Sequence, residues 1–228
     1  MKHRFSHLAL LFLFFPLFLC SAIPLFIPPQ GWECALPQNL SPCVQIGFLG
    51  KGAHPFRPSL NLAIEEIDVS LKGYLKAVKE IHLATPQTTW RDLGKFITAS
   101  GEGRLTEITM TTAGGDVRML QMIFVKRNIA YILTGATLKD EFLQFQEAFT
   151  KAFQSLRLLD DLFSPLNSEK KQQFENNFTA LGQSITNESE REKQWIDWQK
   201  LVFQEAQELG SYWQFLALKS GREKLLSH

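Results

Sequence analysis

The spacing of hydrophobic and polar positions changes along the chain and divides it into regions of different structure. In the middle, residues 94–100, 104–112, 117–126 and 129–136 are rich in Thr, Ile, Val, Phe and Met, a composition typical of strands. Glycine and asparagine residues between these segments supply the positive φ values that tight hairpins need. Because short hairpins join antiparallel neighbours, the pattern predicts a four-stranded antiparallel meander.

Further strands and two helices are predicted around this meander. The strands lie at 32–36, 43–49 and 60–69, and a helix capped by Ser70 runs to about Leu83. A second helix follows the meander, where Thr137 and Asp140 have the spacing of a capping box. Its apolar stripe consists of Leu138, Phe142, Phe145, Phe149 and Phe153. With a closing strand at 155–159, residues 23–161 are predicted to form an α+β domain, in which helices pack against an antiparallel sheet.

The strand pattern stops after Asp160-Asp161, and residues 162–228 have helical periodicity instead. One apolar stripe lies between Phe174 and Ile185. A second and longer stripe runs from Trp195 to Leu216. Two stripes of this kind predict a C-terminal α-helical hairpin that turns near residues 186–187.

The N-terminus has the parts of a secretory signal peptide. Lys2 and Arg4 precede an apolar block at 8–19. The small residues Cys20-Ser21-Ala22 follow and suit cleavage after Ala22. The block is shorter than the roughly 20 residues of a transmembrane helix. We therefore expect residues 1–22 to be a signal peptide and the protein to be exported, to the periplasm or the cell exterior.

Two alternatives to cleavage after Ala22 remain open. The segment ending in Leu19-Cys20 is similar to a bacterial lipobox, which would make Cys20 a lipidated first residue. An uncleaved N-terminal segment would instead anchor the chain in the membrane. Both alternatives leave the protein outside the cytoplasm and attached to a membrane.

The charge of the chain excludes one class of partner. Lys and Arg total 24 and Asp and Glu total 23. A general nucleic-acid-binding protein would carry an excess of basic residues on one face. No nucleic-acid partner is therefore expected.

Cleavage after Ala22 leaves the mature chain with Cys34 and Cys43. In an oxidising compartment these two cysteines are candidates for a disulfide, with two unpaired thiols as the alternative. Because only His54 lies near them in sequence, the pair is a poor zinc site.

The residues that could carry catalysis are scattered. Beyond the signal segment the histidines are His54, His82 and His228, and none has a nucleophile and an acid at a recognisable spacing. His82 lies on the apolar stripe of its helix, where a partly buried histidine is expected. The Gly50-Lys51-Gly52 segment lacks the other residues of a phosphate-binding loop. The sequence therefore predicts no enzyme activity, no cofactor, no metal site and no small-molecule substrate.

The C-terminal tryptophans suggest a contact surface. Two packed helices bury only their facing stripes, and several large apolar residues lie off the main stripe. We expect Trp195, Trp198 and Trp213 to contribute to a surface that binds a partner. The alternative is that they form ordinary helical core.

Several short motifs recur in order along the predicted α+β domain. They are Ile27-Pro28 with Gly31-Trp32, residues 130–137 (AYILTGAT), the Phe-rich helix and Ser155-Leu156-Arg157. Through these motifs, residues 24–160 resemble the PsbP-like superfamily, which includes the photosystem II subunit PsbP, the bacterial lipoprotein DcrB and a Ran-binding nuclear factor. The C-terminal helical region is not part of this resemblance.

The resemblance implies a non-catalytic accessory protein, because most members of the superfamily have such a role. Together with the signal segment, it favours an exported interaction protein that binds a protein or membrane partner. The alternative is a periplasmic module that binds a small ligand or metal through loops around His54 and the sheet edge.

Overall fold

The computed structural model describes residues 22–35, 43–52, 54, 56–183, 188–205 and 207–227. The signal segment 1–21, with Cys20 as the proposed lipidation site, lies outside the described residues, as do the predicted helical turn at 186–187 and His228.

The described residues form an antiparallel sheet with helices on both faces, so the predicted α+β class is confirmed. The strands are β1 (Ile23–Leu25), β2 (Glu33–Ala35), β3 (Val44–Leu49), β4 (Ser59–Glu66), β5 (Thr88–Thr98), β6 (Gly101–Thr112), β7 (Gly115–Lys126), β8 (Ile129–Leu138) and β9 (Arg157–Leu159). The helices are α1 (Leu71–Ala84), α2 (Phe142–Gln154), α3 (Ser168–Leu181), α4 (Glu188–Glu205) and α5 (Gly210–Leu226). The main sheet has the strand order β2-β3-β4-β8-β7-β6-β5, and β1 pairs separately with β9.

The predicted meander is β5 to β8, and its turns use the expected backbone conformations. Arg127 and Asn128 have φ angles of 51° and 61° in the turn between β7 and β8, and Gly115 has a φ of 119° at the start of β7. The strand β5 begins at Thr88, six residues earlier than the predicted segment 94–100. A long edge strand therefore faces the helix that precedes it.

The two faces of the sheet are covered very differently. The front face, which carries Leu60, Leu62 and Leu133, is buried under α2 and the C-terminal helices in one continuous core. Gly135 of β8 allows this close packing, because a Cβ atom there would overlap the ring of Phe149 in α2. The back face carries a much smaller core of Ile123, Ala130 and Ile132, and of the helices that the structure describes only α1 packs against it.

The capping box predicted at Thr137 and Asp140 is wrong. Thr137 belongs to β8, and a 3-10 turn at Lys139–Glu141 precedes α2. The helix begins at Phe142 without a side-chain cap. The strand extends past its predicted end because residues 136 and 137 are buried between β7 and the covering elements.

The C-terminal region contains three helices in its described part, instead of the two of the predicted hairpin. The long stripe from Trp195 to Leu216 is broken between α4 and α5 by a short 3-10 turn at Gln207–Leu209. Gly210 follows with a φ of 82°. These helices do not stand apart from the sheet: Tyr212 of α5 packs on Phe26 and Phe48, with ring centroids 4.9 and 6.1 Å away.

Candidate functional site on the back face

Helix α1 is held on the back face by an amphipathic pattern and a side-chain cap. The hydroxyl of Ser70 accepts a hydrogen bond from the backbone N–H of Gly73 at 3.3 Å, as predicted for an N-cap. The inward side consists of Leu71, Tyr74, Leu75 and Val78. None of the fourteen residues of α1, all of which the structure describes, is fully buried. The helix therefore rests on the sheet as an exposed ridge with an open groove on each side.

The groove on the β5 side, here called the basic groove, is the larger of the two, with a volume of about 730 Å³. Its lining residues are Leu71, Lys72, Leu75, Lys76, Lys79, Trp90, Asp92, Glu102 and Arg104. The lysines recur at intervals of four and three along α1, so they follow one side of the helix. The indole ring of Trp90 lies 5.8 Å from the ammonium nitrogen of Lys79.

Ion pairs account for only some of the charges in the basic groove. Arg104 pairs with Asp92, and Lys95 pairs with Glu102 at 3.0 Å. Partial burial acts against the ionised form of Asp92. The hydrogen bonds from Arg104 and from the N–H of Gly94 outweigh it and hold the pKa of the carboxyl below its usual value. Both acids of the groove are therefore neutralised by neighbouring cations.

Two hydrogen-bond donors that belong to lining residues of the basic groove have no acceptor among the described residues. They are the indole N–H of Trp90 and the Nε–H of Arg104, and both nitrogen atoms are buried. Buried donors normally have partners, because leaving one unpaired costs about 1–3 kcal/mol.

The groove on the other side of α1, here called the polar groove, is smaller, at about 310 Å³. Its lining includes Asn61, Glu65, Tyr74, Gln121 and Thr134, together with Cys43, Val44, Ala63, Ala77, Val78, Ile81, His82 and Ile132. The Tyr74 hydroxyl donates a 2.6 Å hydrogen bond to Glu65. Burial, then this carboxylate, raise the pKa of Tyr74, so the phenol stays protonated.

His82 is half-buried at the rim of the polar groove, as its place on the apolar stripe predicts. Burial lowers the pKa of its imidazole, which favours the neutral form. The amide oxygen of Gln121 is buried without a partner among the described residues, while its nitrogen lies 3.4 Å from the Thr134 hydroxyl. One apolar side chain of this groove, Ile81, is 68% exposed.

The tryptophans predicted to form a partner surface are mostly interior. Trp198 and Trp213 are 1% and 0% exposed, so the prediction is wrong for both. The indole N–H of Trp198 donates to the carbonyl oxygen of Ala217 at 3.2 Å, and that ring packs on Phe174. Trp195 is half-buried against the core. The exposed apolar residues of α4 are instead Ile196 and Phe203.

The predicted disulfide between Cys34 and Cys43 is not formed, and both residues have free thiols. Cys34 in β2 lies opposite Phe48 of β3, and Phe48 follows Cys43 by five positions in the chain. At about 3.3 Å per residue this separates the two cysteines by roughly 16 Å, whereas a disulfide needs Cα atoms within about 7 Å.

The loop around His54 brings one acid close. The Nε2 atom of His54 lies 3.7 Å from a carboxylate oxygen of Glu141. Across the described residues, no group of three His, Cys, Asp or Glu side chains is placed to hold a metal ion. None of the helices in the described part of the chain has the length and apolar character needed to cross a bilayer.

No protein-family model matches the sequence, and no curated protein is recognisably similar to it. Among solved structures, LpqN of Mycobacterium tuberculosis, a protein involved in cell envelope biogenesis, is similar at a TM-score of 0.47 and 13% identity, over 60% of this chain and 85% of LpqN. PsbP of the cyanobacterium Synechocystis is similar at a TM-score of 0.43 and 14% identity, over 63% of this chain and 95% of that protein.

The Ran-binding protein Mog1p of Saccharomyces cerevisiae is similar at a TM-score of 0.41 and 12% identity, over 59% of this chain and 89% of Mog1p. These neighbours have the PsbP-like fold that the sequence resembles. At this level of identity the likeness concerns fold alone.

The residues of the basic groove are not among the candidate residues predicted from the sequence. The lysines at 72, 76 and 79 were visible as a repeating pattern in the predicted helix. Trp90 and Asp92 lay in a segment without a predicted element, because β5 was expected to begin at residue 94. In the structure β5 begins at Thr88, and this longer strand contacts α1.

Proposed function

We propose that this protein is an exported, non-catalytic accessory protein that binds a protein partner through the back face of its sheet. The observation that carries the proposal is the position of α1, which lies across that face with none of its residues fully buried. Helices that serve only the core bury an apolar stripe, as α2 does with Phe142, Phe149 and Phe153. A helix that remains at the surface between two grooves is suited to contact.

The composition of the back face supports a protein partner. Val69, Ile81 and Leu83 are between 46% and 68% exposed at the two ends of α1. Lysines and an aromatic ring lie between them. Apolar residues bordered by polar ones are typical of protein interfaces. Export is supported by the basic and apolar pattern of residues 1–22.

Site-specific photocrosslinking in the protein's own host tests this proposal. A photoreactive amino acid at Ile81 is expected to give a discrete crosslinked species that contains a second protein. The same substitution at Leu143 in α2, which is 79% exposed, is the matched control. Equal crosslinking from both positions, or crosslinking from Leu143 alone, would contradict the proposal.

A second control addresses the exposed residues of α4. Crosslinking from Ile196 or Phe203 in place of Ile81 would locate the partner on the C-terminal helices, as the tryptophan prediction implied. Cell fractionation of the same sample tests export: recovery of the mature chain in the cytoplasm would contradict it.

A further inference from the structure

We infer that the peptide bond between Ala22 and Ile23 is cut only before β1 pairs with β9, so that closure of the fold protects this bond from signal peptidase. The inference rests on the export part of the proposed function and specifies when the signal segment is removed. It follows from the hydrogen bonding of the Ile23 nitrogen and from the burial of the residues after it.

The predicted cleavage site adjoins the first strand directly. Ala22 is the last residue of the predicted signal segment, and β1 begins at the next residue, Ile23. Hydrolysis of the bond between them consumes one water molecule and gives the carboxylate of Ala22 and the ammonium group of Ile23. The nitrogen that leaves is therefore the backbone nitrogen of the first residue of a strand.

The register of β1 with β9 shows which backbone groups of the two strands are hydrogen-bonded. Pro24 lies opposite Leu158 and has no N–H, and the N–H of Leu158 donates instead to the Ser100 hydroxyl at 2.7 Å. In an antiparallel pair, hydrogen-bonded and non-hydrogen-bonded positions alternate. The hydrogen-bonded positions are therefore the neighbouring ones, at one of which Ile23 lies opposite Leu159. In the closed fold the Ile23 N–H thus donates to the carbonyl oxygen of Leu159.

The residues that follow the cleavage site are fixed in the core. Leu25 and Phe26 are completely buried, and the N–H of Ile27 donates to the Ser155 hydroxyl at 2.8 Å. A protease cuts a folded chain where the segment around the bond opens. Opening here would break the pairing of β1 with β9 and expose both apolar side chains to water. The closed protein is therefore a poor substrate.

The order of cleavage and closure then decides which form of the protein results. A chain that is cut while β1 is unpaired loses the signal segment and is released from the membrane. A chain in which β1 pairs with β9 first retains residues 1–22, and with them the apolar block at 8–19 as a membrane anchor.

Cleavage of the purified full-length precursor by signal peptidase in detergent tests the inference. The matched variant has a flexible linker of about eight Gly and Ser residues between Ala22 and Ile23, which keeps the signal segment and moves the site away from β1. The folded linker variant is expected to be cut, and the folded unaltered precursor is expected to be cut at least about tenfold more slowly. Equal rates for the two folded precursors would overturn the inference.

Unfolded precursors provide the control for the change in sequence. When the urea-unfolded chains are diluted directly into peptidase, both are expected to be cut, and intact mass should show that the unaltered chain is cut between Ala22 and Ile23. Failure to cut the unaltered chain there, or cleavage before Cys20 instead, would overturn the inference. Recovery of the chain outside the cytoplasm, with crosslinking from Ile81, would still support the proposed function in that case.

The strand pairing is tested separately by Leu159→Pro, which removes the N–H opposite the Ile23 carbonyl. The matched control is Asp160→Pro, one residue beyond β9. Thermal unfolding establishes that both precursors are folded. The folded Leu159→Pro precursor is expected to be cut about fivefold faster than the control, because one hydrogen bond of the short ladder is lost. Equal cleavage of the two folded variants would overturn the inference, and if Leu159→Pro does not fold, the linker comparison decides.

Discussion

The indole N–H of Trp213 in α5 donates a 2.8 Å hydrogen bond to the carbonyl oxygen of Leu162, just after the final strand. The same ring lies 5.3 Å from Phe174 of α3 and is completely buried. One residue therefore joins two C-terminal helices to the segment that leaves the sheet. The C-terminal helices are part of the main core and cannot be regarded as a separable appendage.

Replacement of Trp213 should therefore destabilise the whole protein. Trp213→Ala is expected to lower the free energy of unfolding by about 3–5 kcal/mol, because a large buried side chain is lost. Trp213→Phe is expected to lower it by about 1–3 kcal/mol, because the Leu162 carbonyl loses its donor. Urea denaturation measures both. The half-buried Trp195, changed to Phe, is the control, and a Trp195 effect as large as that of Trp213 would contradict this role.

The contact between Gly221 and Trp198 predicts a second stability effect. A Cβ atom at residue 221 would overlap the indole of Trp198, which α4 holds against α5. Although Ala favours helices over Gly, the overlap should dominate, and Gly221→Ala is expected to destabilise the protein by about 1–3 kcal/mol. Gly114→Ala in an open turn is the matched control and should stay within about 0.5 kcal/mol. A stabilised Gly221 variant would show that α4 and α5 are not in close contact.

Glu107 on the front face predicts a pH dependence. Its carboxylate is buried, and it accepts hydrogen bonds from Arg91 Nε at 3.0 Å and from Arg118 Nε at 2.7 Å. The guanidinium of Arg118 also lies 4.0 Å from the centre of the Phe142 ring. Burial opposes ionisation, but Arg118 and Arg91 outweigh it and hold the pKa of Glu107 below its ordinary value of 4.5.

A carboxyl with a lowered pKa stabilises the folded state above the unfolded pKa, and this contribution is lost as the pH falls through the folded pKa. Glu107→Gln is therefore expected to cost about 2 kcal/mol at neutral pH and progressively less below pH 4.5. Thermal unfolding of both proteins across this range is the measurement. A constant difference at all pH values would contradict the assignment.

The separation of Cys34 and Cys43 predicts the result of oxidation. Under oxidising conditions the folded chain should give no internal disulfide, which intact mass after alkylation detects. Burial raises the pKa of the Cys34 thiol, so its alkylation should also be slower than that of a free cysteine at mildly alkaline pH. A mass lower by two hydrogen atoms, with neither Cys34 nor Cys43 alkylated, would show that the β2–β3 pairing is wrong.

Local patterns predicted much of the fold. Ser70 marked the start of α1, and the glycine- and asparagine-containing turns marked the strands β6, β7 and β8, because these features act within a few residues. The start of β5 was missed because Pro86 and Gln87 indicate a break, and Trp90-Arg91-Asp92 lacks the apolar alternation of a buried strand. That segment belongs to the edge strand β5, which contacts α1 and pairs with β6. These contacts are distant in sequence, so no local pattern predicts them.

The same limit explains the tryptophans and the candidate site. Helical spacing shows that Trp198 and Trp213 share a stripe, but it does not show whether a third helix covers it. In the structure Phe163, Phe174 and Phe178 cover Trp198. The basic groove combines residues of α1 with residues of β5 and β6, and no sequence motif links these segments. Only the tertiary arrangement could therefore identify it.

The packing of Tyr212 on Phe26 determines when this protein can finish folding. These rings come from opposite ends of the chain, and the pairing of β1 with β9 also awaits late residues. During synthesis from the N-terminus, Phe26 can pack on Phe48 early, but its burial is completed only after Tyr212 of the last helix has been made. Part of the core therefore stays accessible to chaperones and to the translocation machinery during most of synthesis. A chain truncated before α5 would leave the first strands incompletely covered.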